Sequence, residues 1–312
     1  MPTANEDWRD ALLRRQIGLL RLSQGTRREV VDILNDTEAS LSREIERRLR
    51  AISSPDGVNL TRPAVVERLL NLQRRIQTIR AAAFSESLTL WDRTLRDLIS
   101  QEVGFLSMSL QTVLPVVYTA IEPDLRRLRG LVGSDPFRGP GEQMLRLRQW
   151  VNTIATDDVE RIMGTIRAGL VEGAPSREIA RRVVGTARLR GTDGVTQITR
   201  NAAQTLTRTS INHFANQAKR AWYMENADVI SDEVYTATLD GRTTAICRSL
   251  DGRRFEVGKG PYPPLHPNCR SLRIALIDGQ VLGQRPMKPV TERMLLREYA
   301  DANGLRRVAR RA

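Results

Sequence analysis

Apolar residues recur every three or four positions through the first 130 residues, the spacing of a buried α-helical face. One such stripe comprises Val30, Leu34, Leu41, Ile45, Leu49 and Ile52. Residues 53–57, Ser-Ser-Pro-Asp-Gly, interrupt the pattern, since proline and glycine do not sit inside stable helices. A second stripe comprises Val66, Leu69, Leu70, Ile76, Ile79 and Ala83 and continues through Leu88, Trp91, Leu95, Leu98, Val103 and Leu106 towards Pro115. The pattern predicts long helices that pair in an elongated hairpin or bundle.

Helices are also predicted further along the chain. Turn-forming residues concentrate in 133–141, and helical spacing resumes over 142–172 and again over 196–226. We expect Ser176 to cap a shorter helix between these two. The apolar face of the 196–226 helix is expected to hold Ile198, Ala202, Leu206, Thr209, Ile211, Phe214, Ala218 and Trp222.

The hydrophobic period changes from helix-like to strand-like after residue 229. Segments 234–239, 254–257 and 272–276 are rich in β-branched and apolar residues, and the first of them ends at an Asp-Gly turn. We therefore predict an α+β fold, in which an N-terminal helical hairpin or bundle precedes a small helix-plus-sheet domain. A short helix is predicted for Thr291–Ala300, followed by a basic tail.

These features predict four regions. A helical docking region is expected over 1–132, a linker over 133–141, the helix-plus-sheet domain over 142–289, and a short helix with the basic tail over 290–312.

Composition argues against a secreted growth factor, a membrane transporter and a collagen-like fibre. The chain has 312 residues, 40% of them hydrophobic and 27% charged, which is typical of globular proteins. No apolar run reaches the roughly 18 residues of a membrane-spanning helix, and the acidic first ten residues do not resemble a secretory signal. We therefore expect no membrane segment. Two cysteines are too few for a disulfide-stapled scaffold, which fits synthesis in a reducing cytoplasm.

Positive charge is concentrated towards the C-terminus. The formal net charge is +13, and residues 251–312 contain 13 basic and 6 acidic side chains, a net +7. All but three of the basic residues are arginines, which suits phosphate contact but equally fits a GC-rich coding bias. The candidate DNA-contacting residues are Arg253, Arg254, Lys259, Arg306, Arg307, Arg310 and Arg311.

The densest chemistry lies in residues 239–271, which contain both cysteines and one of the two histidines. The candidate site residues are Asp240, Arg242, Thr243, Cys247, Asp251, Gly252, His266, Pro267, Asn268, Cys269 and Arg270. Their order resembles that of the phage head morphogenesis family, the Mu F-like minor head proteins: Asp-x-Arg-Thr before a cysteine, then Leu-Asp-Gly, then Pro-Pro-x-His-Pro-Asn-Cys-Arg. The helix carrying Arg208, Thr209, Asn212, Asn216, Ala218 and Tyr223 also resembles the family, and the likeness covers roughly 159–276.

The resemblance implies a minor capsid protein of a tailed bacteriophage. Family members associate with the portal vertex during head assembly, and some travel with the packaged genome. The implied partners are portal protein, major capsid or scaffold protein, and double-stranded DNA. The implied location is the portal region of the virion head, after synthesis in the bacterial host cytoplasm.

The chain departs from the family at two of four cysteine positions, which hold Thr244 and Ser271. Cys247, His266 and Cys269 remain as soft metal ligands, and Asp240 or Asp251 would be an unusual fourth ligand for structural zinc. We expect a metal-free core without a cofactor, with zinc as the alternative. The resemblance also implies that Cys247 faces Cys269, as reduced thiols or as a disulfide outside the cell.

We expect no enzymatic activity and assign no catalytic residue. Asp240, Arg242 and Asn268 are expected to hold turns and ionic contacts. The enzymatic alternative is a metal-dependent nuclease-type effector with His266 as general base, oriented by Asp240 or Asp251. A sequence-tolerant DNA-binding protein outside head assembly is a second alternative.

Overall fold

The computed structural model describes residues 3–114 and 118–277. The predicted helix Thr291–Ala300 and the predicted basic tail, including Arg306, Arg307, Arg310 and Arg311, lie outside this part of the chain.

Helices dominate the described residues and two small antiparallel sheets accompany them, which confirms the α+β class. The helices are α1 (Ala4–Asp36), α2 (Glu38–Leu49), α3 (Pro63–Val113), α4 (Leu125–Ser134), α5 (Leu147–Val171), α6 (Ser176–Val184), α7 (Thr196–Glu225) and α8 (Ala245–Leu250). The strands are β1 (Phe137–Arg138), β2 (Met144–Leu145), β3 (Ile230–Thr236), β4 (Arg254–Glu256) and β5 (Leu272–Ile277).

Element boundaries follow the sequence pattern with local differences. The break after α2 lies where the Pro-Asp-Gly segment predicts it, and α7 ends one residue before the predicted limit. The helix expected from residue 142 begins at Leu147, because β2 pairs with β1 just before it. The predicted capping role of Ser176 is wrong: Ser176 is the first helical residue of α6, and Pro175 occupies the cap position. Helix α8 and the β1–β2 hairpin are not predicted from the sequence.

The chain forms two compact units, each built from separated stretches. As far as the described residues go, one unit takes residues up to Gly25, Arg93–Arg146 and the chain from Arg208 onward, and the other takes Thr26–Asp92 and Leu147–Thr207. The division falls within α1, α3 and α7. Each unit draws on distant parts of the sequence, whereas the four predicted regions are consecutive stretches. The division of the chain into those four regions stays a prediction.

The unit of Thr26–Asp92 and Leu147–Thr207 has an apolar core shared by four helices. The α2 stripe and residues 69–76 of α3 pack with one face of α5 and with α6. Val66 and Leu70 are exposed rather than part of this face, and so is Ile198 of α7. Arg80 of α3 is fully buried and donates to Asp158 of α5 at 2.6 Å.

The other unit contains the three-stranded sheet and the C-terminal half of α7. Strand β3 is central, with β4 and β5 antiparallel on either side. From Thr209 onward α7 is buried on most of its circumference. Its His213 is buried, stacks on Phe137 at 5.0 Å between ring centroids, and contacts Asp135 through Nε2 at 2.7 Å.

Candidate functional site

Cys247, His266 and Cys269 meet beside the central strand of the sheet. Cys247 lies on α8, whereas His266 and Cys269 lie on the loop that leads into β5. Both cysteines are buried in a small core with Tyr235 and Ala237. The sequence-predicted cysteines and histidine are therefore brought together.

The three side chains touch through their chemically active atoms. The Cys247 sulfur lies 3.3 Å from His266 Nε2 and 3.7 Å from the Cys269 sulfur, and both cysteines are free thiols. The hydroxyl of Tyr235 lies 3.3 Å from the Cys247 sulfur. The second ring nitrogen of His266, Nδ1, lies 2.8 Å from the carbonyl oxygen of Pro267, so both ring nitrogens have partners within this cluster.

This packing separates the proton affinities of the three groups. The hydrogen bond from Cys269, and then that from His266, lowers the pKa of Cys247 far below that of a free thiol. Contact with the Cys247 sulfur, and then burial, raises the pKa of Cys269, and contact with the same sulfur raises the pKa of His266. The packing therefore favours ionisation of Cys247 over that of Cys269.

The loop carrying His266 and Cys269 is fixed by its own backbone and by α7. Asn268 adopts a left-handed conformation (φ 62°), and the N–H of Cys269 donates to the His266 carbonyl at 3.2 Å. The N–H of Asn268 donates to Thr209 Oγ1 at 3.0 Å. Asn212 donates to the carbonyls of Cys269 and Ser271 at 3.1 and 3.3 Å. Two polar side chains of a buried helix thus set the position of the loop.

Asp240 and Arg270 join the two ends of the segment by a bidentate ion pair. Both Arg270 terminal nitrogens donate to the Asp240 carboxylate at 2.6 Å, and both side chains are largely buried. The Asp240 carboxylate also accepts the N–H of Arg242 at 2.9 Å. The Arg270 guanidinium is the main reason that the pKa of Asp240 lies well below its usual range.

The remaining motif residues connect the Asp-Gly turns to the sheet by hydrogen bonds. Thr243 accepts the N–H of Asp240 and donates to the carbonyl of Thr238. Asp251 accepts the N–H of Ala237 at 2.8 Å. Gly252, with φ 78°, donates its N–H to the Tyr235 carbonyl at 2.9 Å. These contacts hold the two Asp-Gly turns against the sheet.

The contacts of the two carboxylates also bear on the nuclease alternative. Asp240 binds Arg270 and Asp251 binds the backbone of Ala237, whereas His266 contacts Cys247 and the Pro267 carbonyl. These contacts give both carboxylates partners other than the His266 imidazole, which the nuclease alternative would have one of them orient.

Three residues of the site had no role predicted from the sequence. Tyr235 was visible only as part of a strand, Asn212 only as part of the resemblance, and Thr209 as part of the resemblance and of a predicted helix face. Their signal is local: threonine and asparagine are poor helix formers, and their presence inside a long helix indicates a specific partner.

Three of the candidate DNA-contacting residues are described, and all three are exposed. Arg254 is the first residue of β4, an edge strand of the sheet, and Arg253 immediately precedes it. Lys259 forms an exposed ion pair with Glu256.

Comparison with known proteins finds one family. Residues 160–274 match the family described as phage Mu protein F like protein, and the match includes all of residues 239–271, which contain both cysteines and His266. It confirms the resemblance: this stretch carries the domain of a phage head morphogenesis family. No curated protein and no solved structure matches the chain. Among the described residues, no helix is long and apolar enough to cross a membrane.

Proposed function

We propose, from the premise that residues 160–274 form a domain of the phage Mu protein F like family, that the chain is a minor head protein acting at the portal vertex of a tailed phage. Its partners are portal protein, major capsid or scaffold protein, and packaged double-stranded DNA. The family match carries this proposal, because it includes the motif residues from Asp240 to Arg270 in order.

The use of the motif residues supports a structural rather than an enzymatic role. Asp240, Asp251 and Thr243 bind backbone groups or Arg270, and Asn268 is held by α7. These bonds hold the turns and loops of the domain together. The domain serves head assembly by presenting a rigid surface, and virion association follows from that role.

Cross-linking of purified heads, followed by mass spectrometry of linked peptides, tests the location. We expect links from this chain to portal protein. Links confined to major capsid protein far from the vertex would contradict the portal assignment while leaving head association intact.

Contact with DNA is proposed to involve the basic start of β4. Arg253 and Arg254 are neighbouring exposed arginines, whereas the charge of Lys259 is partly balanced by Glu256. Binding that neutralises phosphates weakens with salt, with a log–log slope of about −0.9 per phosphate contacted.

The salt dependence of binding to a random-sequence duplex tests this contact. Replacing Arg253 and Arg254 together by Ala is expected to reduce the slope by about two units. The matched control replaces Arg126 and Arg127, two exposed arginines of α4, and loses the same charge. Equal slopes for the two double variants would refute a local contact at β4.

A further inference from the structure

We propose that Cys247, His266 and Cys269 bind one zinc-type divalent ion, with the fourth coordination position left to water or an exogenous ligand. It develops the zinc alternative raised by the sequence, and it does not depend on the head-assembly function.

The two distances that involve the Cys247 sulfur are close to those of a tetrahedral ligand sphere. Zinc binds thiolate sulfur at about 2.3 Å and imidazole nitrogen at about 2.0–2.1 Å, which places two sulfurs about 3.8 Å apart and a sulfur and a nitrogen about 3.5 Å apart. The sulfurs of Cys247 and Cys269 are 3.7 Å apart, and Cys247 is 3.3 Å from His266 Nε2. All three ligand atoms lie within 4.8 Å of one another. A disulfide would instead need a sulfur separation of about 2.05 Å.

The imidazole is oriented as in known metal sites. The Pro267 carbonyl can only accept a hydrogen bond, so Nδ1, at 2.8 Å, carries a proton. Nε2 is then the nitrogen directed at Cys247 and available to an ion. A backbone carbonyl that fixes the far side of a ligating histidine is a common outer partner of protein-bound metals.

Two ligands lie on one preorganised turn. His266 and Cys269 are three residues apart, and the bond from the Cys269 N–H to the His266 carbonyl closes the turn. Thr209 and Asn212 hold the same turn from α7. An ion therefore meets a nearly fixed ligand set and displaces the protons shared by the sulfurs and the ring.

The ligand count leaves one position open. Among the described residues, the cluster that can hold an ion comprises only these three side chains. Asp240 is bound by Arg270, and Asp251 accepts a backbone N–H. Three protein ligands with a free position distinguish an open zinc site from a closed structural one. The cysteines are buried but His266 is only half-buried, so the open position is reached from the His266 side.

Titration of the reduced, metal-free full chain with Co²⁺ tests the proposal. We expect one Co²⁺ per chain, with thiolate-to-cobalt charge-transfer absorption, the visible bands of a tetrahedral ion, and displacement by one equivalent of Zn²⁺. Absence of these bands in wild-type protein whose two thiols are shown to be free would overturn the proposal, without reliance on any variant.

Single variants identify the ligands. Cys247→Ser and Cys269→Ser are each expected to abolish most of the charge-transfer absorption, and His266→Ala to weaken Co²⁺ binding by more than about 100-fold, beyond the loss typical of outer partners. His213→Gln removes the other histidine and is the matched control, expected to retain the full spectrum. Retention of the spectrum in both cysteine variants would place the ion elsewhere and refute the site.

Discussion

The Asp240–Arg270 ion pair gives a quantitative prediction for residues 239–271, here called the Cys–His module. Asp240→Asn keeps the shape of the side chain and removes its charge, so Arg270 remains buried with a weaker acceptor. The pair comprises two charge-assisted bonds of 2.6 Å between side chains that are 13% and 7% exposed. Hydrogen bonds to charged groups contribute about 1.5–3 kcal/mol each in comparable surroundings, and we expect a loss of about that size for the variant.

Thiol labelling of metal-free protein measures this loss of stability within the Cys–His module itself. The chain has two cysteines, both in the module and both almost fully buried, so a thiol reagent reacts only after the module opens. Since about 1.4 kcal/mol corresponds to a tenfold change in population, Asp240→Asn should accelerate labelling by about 10-fold to about 100-fold. A pyridyl disulfide is a suitable reagent because it also reacts at acidic pH.

The pH dependence adds a second test with a fixed sign. The pKa of Asp240 is lowered in the folded state, so its stabilising effect is fully present above the unfolded pKa of about 3.9 and is lost as pH falls below it. The ratio of variant to wild-type labelling rates should be constant from about pH 5 to pH 7 and should decline towards one below about pH 4.

Glu256→Gln supplies the matched control, because Glu256 forms an ion pair with Lys259 in the same module but both side chains are 72% exposed. Exposed pairs contribute about 0–1 kcal/mol, so labelling of this variant should change little. Labelling of Asp240→Asn at the wild-type rate, or a variant ratio that does not change with acid, would refute the assigned role of the pair.

Three further predictions concern other parts of the chain. Asn212→Ala removes both donors to the Cys269 and Ser271 carbonyls and should lower the free energy of unfolding by about 2–4 kcal/mol in urea denaturation; a loss below about 0.5 kcal/mol would contradict the clamp. Arg80→Met leaves Asp158 buried without its cation and should cost about 3–5 kcal/mol, and a thermal midpoint equal to that of wild type would contradict this. Thr244→Cys replaces a buried hydroxyl that has no hydrogen-bond partner and creates Cys-x-x-Cys spacing with Cys247. The new thiol should tighten Co²⁺ binding and occupy the open coordination position. Unchanged Co²⁺ affinity and an unchanged visible spectrum would contradict this expectation.

Helix α7 shows how far sequence reasoning reaches. Its limits were predicted to within one residue, because helical spacing and the residues that begin and end a helix are local signals. Exposure was harder to predict: Val66, Leu70 and Ile198 continue apolar stripes yet face solvent. Which residue of a stripe is covered depends on tertiary partners such as α5 and α6, and periodicity alone does not identify them.

The candidate site was found in the sequence as a concentration of residue types rather than as a geometry. Cys247 is separated from His266 and Cys269 by 19 and 22 positions, and only the fold brings their ligand atoms together. The different binding partners of the two carboxylates could not be predicted from their spacing either. Asp240 and Asp251 are equivalent candidates in the sequence, but one binds a guanidinium and the other a backbone N–H.

The central claim, that the chain is a component of the phage head, is tested most directly by quantitative mass spectrometry of purified particles. Proheads, filled heads and particles that have released their DNA are compared, with major capsid protein as the internal standard. The account predicts the chain in proheads and filled heads at a small fraction of the major capsid protein. Loss on DNA release would identify it as ejected with the genome, and retention as a fixed part of the vertex. Absence from proheads and filled heads alike would contradict the account.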